Sequence, residues 1–153
     1  MKVALFGGTG FVGSYITDEL IGHKHKPNLL VRKNSLKKLL QSDKCKIYEG
    51  DLSNSAAVKK AIKSSDVVIY SIGLVREFPH RGITFQEAQF EGVKQTVDLA
   101  KEFNIKRYIL VSANGAKLDG TKYQSTKYLA EEYLKHSGLD WTIFRPVSYT
   151  HLT

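Results

Sequence analysis

The sequence predicts a doubly wound parallel α/β sheet with the strand order 3-2-1-4-5-6. Three observations lead to this prediction. Short apolar runs alternate with segments of helical spacing along the chain, a glycine-rich stretch follows the first apolar run, and no repeat or low-complexity stretch interrupts the alternation. Because parallel strands need crossover connections, which are nearly always helical and right-handed, this alternation is typical of an open parallel sheet.

The first half of the chain supplies three predicted strands, at residues 2–6, 28–31 and 45–49. The helix after the first strand ends near Gly22, and Pro27 is expected at the first residue of the second strand because proline cannot donate to a ladder. Asn34 or Ser35 is expected to cap a short helix that carries Leu36, Leu39 and Leu40.

The second half supplies three more strands, at residues 66–72, 107–111 and 141–144. Ser53 or Asn54 opens a helix before the first of them, and a polar, broken segment around residues 76–82 reads as a loop over the ligand edge. A long helix is predicted over 84–103. Gly92 in its middle costs about 1 kcal/mol relative to alanine, which indicates close packing there. A last helix over 122–136 closes at Gly138.

The stretch from Gly7 to Gly13 is a predicted phosphate-binding turn, because a strand runs into glycines and then into a helix whose free N–H groups would face an anion. Its spacing fits two templates, G-x-G-x-x-G through Gly8 and G-x-x-G-x-x-G through Gly7. Gly7 would allow the bend, Gly10 the approach of a pyrophosphate, and Gly13 close packing of the helix. We therefore expect a dinucleotide ligand.

Two charged residues follow predicted strands at the edge where such ligands bind. Arg32 follows the second strand, where arginine favours a ribose 2′-phosphate, so we expect NADP(H) to be preferred and NAD(H) to be the alternative. Arg32 could instead cap an exposed strand end. Asp51 follows the third strand and is either a ligand-edge residue or a turn former bonded to its own backbone.

Ser112, Tyr123 and Lys127 form a second candidate constellation. Tyr123 and Lys127 are four residues apart and share one helix face, and Ser112 stands at the end of the fifth strand. A tyrosine has an ordinary pKa of about 10, which a neighbouring ammonium lowers. Tyr123 could then exchange a proton with a carbonyl or alcohol, Lys127 could tune it, and Ser112 could orient the substrate oxygen. Taken alone, Tyr-x-x-x-Lys carries little information.

Composition and residue spacing narrow the classes of partner, metal site and location that are expected. The net charge is +8, but the lysines are spread over helix faces and loops without a basic stripe, so no nucleic-acid partner is expected. His23 and His25 lack a neighbouring carboxylate or cysteine at ligand spacing, so no metal site is expected, and Cys45 reads as structural. No apolar run approaches membrane-spanning length and the chain opens directly with a strand, so we expect a cytoplasmic protein without a signal peptide.

The ordered set of motifs resembles the short-chain dehydrogenase/reductase superfamily, which has a Rossmann fold. Within it, the chain is similar to the extended or atypical NmrA-like branch, which includes the NADPH-binding accessory subunit of respiratory complex I and bacterial relatives. The motifs are Gly7-x-x-Gly10-x-x-Gly13, Leu30-Val31-Arg32, Gly50-Asp51-Leu52, Leu110-Val111-Ser112, Tyr123-x-x-x-Lys127 and Arg145-Pro146. Tyr123 and Lys127 favour the glycine template that includes Gly7.

The resemblance implies a set of cofactor contacts. Gly7, Thr9, Gly10, Phe11, Val12 and Gly13 would contact or shape the pyrophosphate region. Arg32 would bind the 2′-phosphate and Asp51 the adenine, with Leu52 counted among the cofactor-binding residues. Ser71 and Gly73 would line the nicotinamide side, where Lys127 would bond the ribose.

The chain departs from the family in two places. Gln89 stands where relatives carry an asparagine, which puts a complete proton relay in doubt. Relatives also continue beyond Arg-Pro with the region that shapes the substrate pocket. We therefore expect a cofactor-binding domain over 1–147 and a non-matching tail over 148–153, arising from a truncated frame or a foreign sequence. Two functions follow as hypotheses: a carbonyl or alcohol oxidoreductase acting on an unknown small molecule, or a non-catalytic NADPH-binding sensor or accessory subunit that reaches membranes only through its complex.

Overall fold

Residues 1–147 contain one six-stranded sheet in which all neighbouring strands are parallel. A computed structural model describes residues 1–147. The strands are β1 (Lys2–Phe6), β2 (Lys26–Val31), β3 (Lys46–Glu49), β4 (Val67–Tyr70), β5 (Arg107–Val111) and β6 (Asp140–Phe144). Their order across the sheet is β3-β2-β1-β4-β5-β6, so the predicted doubly wound topology is confirmed. The predicted tail at 148–153 lies outside the described residues.

Helices cover both faces of this sheet. They are α1 (Phe11–Gly22), α2 (Ser55–Lys63), α3 (Gly92–Glu102) and α4 (Lys122–Lys135). Side chains of β1 alternate between the two cores, since Ala4 and Phe6 pack with α2, α3 and α4 while Val3 and Leu5 pack on the side of α1. None of the helices described is both long and apolar enough to cross a membrane.

The carboxyl ends of β1, β4 and β5 lie level with one another. Phe6 is paired with Tyr70, and Tyr70 with Leu110. The amide of Ser71 then donates to the Phe6 carbonyl at 2.8 Å. The residues that follow these three strands therefore meet at one edge of the sheet.

Pro27 is the second residue of β2, not the first as predicted. It is paired with Val3 of β1, whereas the pairing of β2 with β3 begins only at Asn28. The missing N–H group is tolerated because no β3 residue lies opposite Pro27. The prediction that Asn34 or Ser35 caps the next helix is also wrong. A 3₁₀ helix begins at Lys33, before both residues, and no side chain caps it; Ser35 is buried within it.

The predicted long helix is divided into a π-helical segment, Gln86–Glu91, and α3. The hydroxyl of Tyr70 donates to the Ala88 carbonyl at 2.5 Å. In a regular α-helix this carbonyl would accept from the amide of Gly92. A Cβ atom on Gly92 would lie 2.1 Å from the Tyr70 hydroxyl oxygen, so the expected close packing at Gly92 is confirmed. An inserted side chain of this kind is a recognised cause of helix distortion.

Candidate functional site

The glycine turn lies directly against the end of β4. Gly7 has φ +90°, a conformation that L residues with side chains rarely adopt. A Cβ atom on Gly7 would lie 2.8 Å from both the carbonyl carbon and the carbonyl oxygen of Ser71. The turn therefore requires glycine both for its backbone conformation and for its contact with the neighbouring strand.

Gly13 brings the start of α1 against the same turn. A Cβ atom there would lie 1.9 Å from the Gly7 carbonyl oxygen, which already accepts from the amide of Gly10 at 3.0 Å. The backbone that Gly13 approaches is the turn itself. Thr17, which sequence reasoning missed, supports this packing by donating its hydroxyl to the Gly13 carbonyl at 2.9 Å. Its position one helical turn after Gly13 was the available signal.

The first turn of α1 is suited to an anion. Gly10 precedes the helix, no side chain caps its free N–H groups, and no acidic residue lies in the first turn. Phe11 and Val12 expose large apolar side chains beside these N–H groups, with 83% and 45% of their surfaces accessible. Uncapped amides and the positive end of the helix dipole form a site for a negatively charged group.

Arg32 and Asp51 follow β2 and β3 at this edge. Arg32 is exposed and belongs to no helix or strand. Asp51 accepts from the amide of Ser53 at 2.9 Å. The hydroxyl and amide of Ser53 hold the pKa of Asp51 below its ordinary value, with a smaller contribution from the Arg32 guanidinium. Asp51 is thus a turn former, and its contact with a ligand stays a prediction.

Leu52 does not point freely into the site. Its Cδ1 atom would lie 2.9 Å from a Cβ on Gly92, and its half-buried side chain packs against the core on the α2 and α3 side. We therefore expect Leu52 to support the site from below by packing. Thr9 is half-buried within the glycine turn, and its contact with a pyrophosphate stays a prediction.

Two serine hydroxyls at the strand ends have no hydrogen-bond partner in the described part of the chain. Among residues 1–147, the hydroxyl oxygens of Ser71 and Ser112 are the buried side-chain polar atoms that lack a hydrogen bond. Leaving such a group unsatisfied costs about 1–3 kcal/mol, so each is a strong candidate for contact with a polar ligand. Ser112 follows β5 as predicted, whereas Ser71, which was predicted inside the strand 66–72, follows β4 because that strand ends at Tyr70.

Lys127 lies between these two strand ends. Its side chain is 5% exposed, and its Nζ donates to the carbonyl of Val111 at 3.4 Å. A Cβ atom on Gly73 would lie 3.5 Å from the same Nζ. Burial lowers the pKa of Lys127 to about 8, against the opposing effect of the Glu131 carboxylate. The lysine is therefore a buried cation in contact with both strand ends.

Tyr123 lies one turn before Lys127 in α4 and is half-buried. Its ring meets that of Phe85 edge to face, with centroids 5.6 Å apart. Burial raises the pKa of Tyr123, so the expectation that Lys127 lowers it is wrong for this structure. The Nζ atom of Lys127 is directed to the Val111 carbonyl instead. Tyr123 accordingly carries its proton at neutral pH.

Glu131, a second residue that sequence reasoning missed, supports Lys127 from the next helical turn. Its side chain is fully buried and forms a two-pronged ion pair with Arg145, whose Nε donates to Oε1 at 3.0 Å while Nη2 donates to Oε2. The Lys127–Glu131 spacing of four residues was the signal in the sequence. Arg145 thus compensates a carboxylate that would otherwise be costly to bury.

The remaining candidates have ordinary surroundings. His23 pairs with Glu19 at 3.6 Å on the exposed face of α1. Burial, with nearby Asp43 and Asp18, raises the pKa of the Cys45 thiol, which makes it a poor nucleophile. Within the part of the chain that the structure describes, no three His, Cys, Asp or Glu side chains are grouped to hold a metal ion.

One edge of the sheet thus combines an anion-binding helix start, two unsatisfied hydroxyls and a buried ammonium. Together with Arg32 after β2, these features extend from β2 to β5, which suits an elongated ligand with phosphate at its centre and hydroxyl groups at one end. A protein-family profile described as NAD(P)H-binding matches residues 7–152. The chain belongs to this NAD(P)H-binding family.

The chain spans less than a third of the length of two curated relatives that it matches. The NADH-ubiquinone oxidoreductase 40 kDa subunit of Neurospora crassa is 28% identical over 116 residues, which is 73% of this chain and 30% of that protein. An isoflavone reductase homologue of Nicotiana glauca is 36% identical over 80 residues, which is 47% of this chain and 26% of that protein. The matched region is therefore less than a third of either relative.

A solved structure shows the same fold. The enzyme WbmH of Bordetella bronchiseptica, in complex with NAD+, superimposes with a TM-score of 0.80 at 21% identity and covers 94% of this chain and 55% of its own. The resemblance to the short-chain dehydrogenase/reductase superfamily is confirmed at the level of an NAD(P)-binding Rossmann domain.

Proposed function

We propose that this NAD(P)H-binding chain is the NADP(H)-binding domain of an atypical short-chain oxidoreductase that interconverts a carbonyl and an alcohol. The observation that supports it most is the position of Lys127, buried against the ends of β4 and β5 and one turn from Tyr123. Ser112 adds an unsatisfied hydroxyl at the same edge. A lysine with only a structural role would need neither Tyr123 nor Ser112 at the same edge.

The residues that would hold the cofactor follow the edge of the sheet. The Gly7–Gly13 turn would bind the pyrophosphate, Asp51 would lie at the adenine end, and Ser71, Gly73 and Lys127 would lie at the nicotinamide end. Arg32 would pair with the 2′-phosphate. The nicotinamide, when bound, supplies hydride chemistry.

The protein's own contribution would be to bind and orient the carbonyl and to supply the proton. Ser112 Oγ would donate a hydrogen bond to the carbonyl oxygen, and Tyr123 Oη would donate the proton that the oxygen takes up. The raised pKa of Tyr123 keeps that proton in place at neutral pH, which suits reduction more than oxidation. Lys127 Nζ would hold the ribose hydroxyls.

Cofactor preference is tested by the charge reversal Arg32→Asp. We expect at least about a tenfold loss of NADPH affinity, the value of one charge-assisted hydrogen bond, with NADH affinity little changed. Thermal shift with each cofactor measures this, because a ligand stabilises the state that it binds. Lys37→Asp makes the same charge change on the nearby exposed segment and is the control. Equal losses for NADPH and NADH would refute the role of Arg32.

Catalysis is tested by NADPH oxidation with a panel of carbonyl compounds. Tyr123→Phe should reduce turnover about 100-fold or more, because a positioned general acid contributes that much, while NADPH binding persists. Tyr128→Phe changes a neighbouring tyrosine of α4 and should leave turnover intact. Turnover that does not depend on the Tyr123 hydroxyl would contradict the catalytic assignment.

A second candidate function is a redox sensor or accessory subunit that binds NADPH without turning it over. It is supported by the relative named as a subunit of NADH-ubiquinone oxidoreductase and by the absence of the family asparagine at Gln89. Under this function the partner is a protein complex. It predicts that Tyr123→Phe leaves both cofactor affinity and the cellular phenotype unchanged.

A further inference from the structure

Gln89 is buried inside the π-helical segment and faces two other elements. Only 1% of its surface is accessible. Its Nε2 donates to the Thr126 hydroxyl at 2.9 Å and to the Tyr123 carbonyl at 3.4 Å, both in α4. Its Oε1 accepts from the amide of Leu74 at 3.4 Å, in the loop that leaves β4.

These partners fix which way the amide is turned. A backbone carbonyl only accepts and a backbone N–H only donates, so the nitrogen must face Tyr123 and the oxygen must face Leu74. Both N–H groups of the amide are then occupied by α4. With both N–H groups occupied and only 1% of its surface accessible, the side chain offers no free donor to the water of a proton relay and little surface for that water to reach.

The loop after β4 is held to α4 at its other end as well. The Glu77 carboxylate accepts from the amide of Phe85 at 2.8 Å and pairs with Lys122 at 3.2 Å, at the start of α4. That pair is partly exposed and therefore worth little by itself. The contact through Gln89 is the buried one.

We propose that Gln89 is a positioning residue that fixes the loop beginning at Leu74 to the helix that carries Tyr123 and Lys127, and that it does not relay protons. The inference extends the proposed function, since it assigns the geometry of Tyr123 relative to the Gly73 side of the site to one amide. The π-helical turn is what directs this side chain inward, because Tyr70 occupies the Ala88 carbonyl one residue earlier.

The length of the side chain distinguishes positioning from relay. Asparagine keeps the amide but is shorter by one carbon–carbon bond, about 1.5 Å, so it cannot span from Leu74 to α4. If Gln89 holds the loop in position, Gln89→Asn should impair the loop and the turnover as much as the apolar Gln89→Met does. If Gln89 relays protons, Gln89→Asn should turn over at least as fast as the wild type, while Gln89→Met should lose turnover.

The primary measurement is amide hydrogen exchange at Leu74 in the 153-residue chain without cofactor. We expect both substitutions to speed this exchange by between about twofold and tenfold, as the loss of one hydrogen bond requires. Gln86→Met is the matched control, because Gln86 lies in the same π-helical segment and its side chain bonds Glu91 of that segment rather than Leu74 or α4. Wild-type exchange at Leu74 in Gln89→Asn would overturn the proposal.

A second pair of variants keeps the test valid if Gln89→Met does not fold. Thr126→Val removes the closest acceptor of the Gln89 amide, whereas Thr126→Ser retains the hydroxyl and should restore slow exchange. Where turnover is present, the positioning role lowers kcat in Gln89→Asn without changing the pH profile, and a shifted profile would favour relay. Because exchange is measured without substrate, absence of turnover defeats the proposed function and leaves the result for Gln89 independent.

Discussion

Replacing Gly13 with alanine is expected to destabilise the chain and to abolish its dinucleotide binding. The new Cβ atom would lie 1.9 Å from the Gly7 carbonyl oxygen and 2.7 Å from the carbonyl carbon, both of them backbone atoms. The turn has no room to withdraw, because Gly7 is itself packed against the backbone of Ser71. We expect a loss of about 3 kcal/mol in the free energy of unfolding, at the upper end of overpacking effects. Urea denaturation and thermal shift with NADPH measure the two losses.

Gly22→Ala is the matched control for this substitution. Gly22 is the last residue of the same helix, and a Cβ atom there would meet nothing within 4 Å. Alanine is the better helix former, so this variant should be at least as stable as the wild type. Any gain in the free energy of unfolding should not exceed about 1 kcal/mol. A Gly13→Ala protein that binds NADPH with wild-type affinity would show that the turn can move, contrary to its packing.

Gly92→Ala is expected to be the second most damaging change, and Tyr70→Phe should partly rescue it. The Cβ atom of alanine would lie 2.1 Å from the Tyr70 hydroxyl oxygen, and Tyr70 is fully buried beside Phe6. We expect a loss of about 2–3 kcal/mol for Gly92→Ala alone. Tyr70→Phe alone should cost about 1 kcal/mol, because the Ala88 carbonyl loses its donor.

The double variant is informative because the two effects oppose each other. Removing the hydroxyl clears the oxygen atom that the alanine methyl would strike, so the double variant should be more stable than Gly92→Ala. The double-mutant cycle should therefore give a coupling energy of about 1 kcal/mol or more in favour of the pair. Additive losses would mean that Tyr70 does not cause the close contact at Gly92. Equilibrium denaturation of the four proteins supplies the cycle.

The fold was predictable because its signals are local and repeated. Each strand from β1 to β6 overlaps a segment that the sequence predicts as a strand, and each of the helices α1 to α4 lies between two of them. The strand order follows from that alternation together with the glycine turn after β1. Gly138 adopts a positive φ of 79° after α4, so the helix end was also readable from a single residue type.

The structure differs from the prediction where tertiary contacts decide the local conformation, and no local sequence pattern reports those contacts. Pro27 enters the interior of β2 only because pairing with β3 starts one residue later, and this offset is a property of the sheet. The π-helical segment depends on a hydroxyl that arrives from β4, far away in sequence. Helical spacing through residues 84–103 gives no sign of it.

The position of the candidate residues at one edge of the sheet could be predicted from the sequence. The direction of the pKa shift of Tyr123 could not. Ser71, Ser112 and Lys127 lie together because parallel strands deliver their ends to one side, which sequence spacing implies. The pKa of Tyr123 could not be anticipated, since burial raises it and the geometry of α4 directs the ammonium of Lys127 to a backbone carbonyl. The burial of Glu131 and its pairing with Arg145 depend on how α4 packs beside the end of β6, so the spacing of four residues from Lys127 did not reveal them.

The level ends of β1, β4 and β5 determine the relative positions of the groups at the candidate site. With Phe6, Tyr70 and Leu110 in register, backbone hydrogen bonds hold the glycine turn, Ser71 and Ser112 on neighbouring strands about 4.8 Å apart, and each residue along a strand advances about 3.3 Å. Deleting one residue within β4 or β5 would shift its serine by one such step and turn it to the opposite face. Changing the side chains of the loops would leave these distances intact. The relative positions of Ser71 and Ser112 are therefore independent of the loop sequences around them.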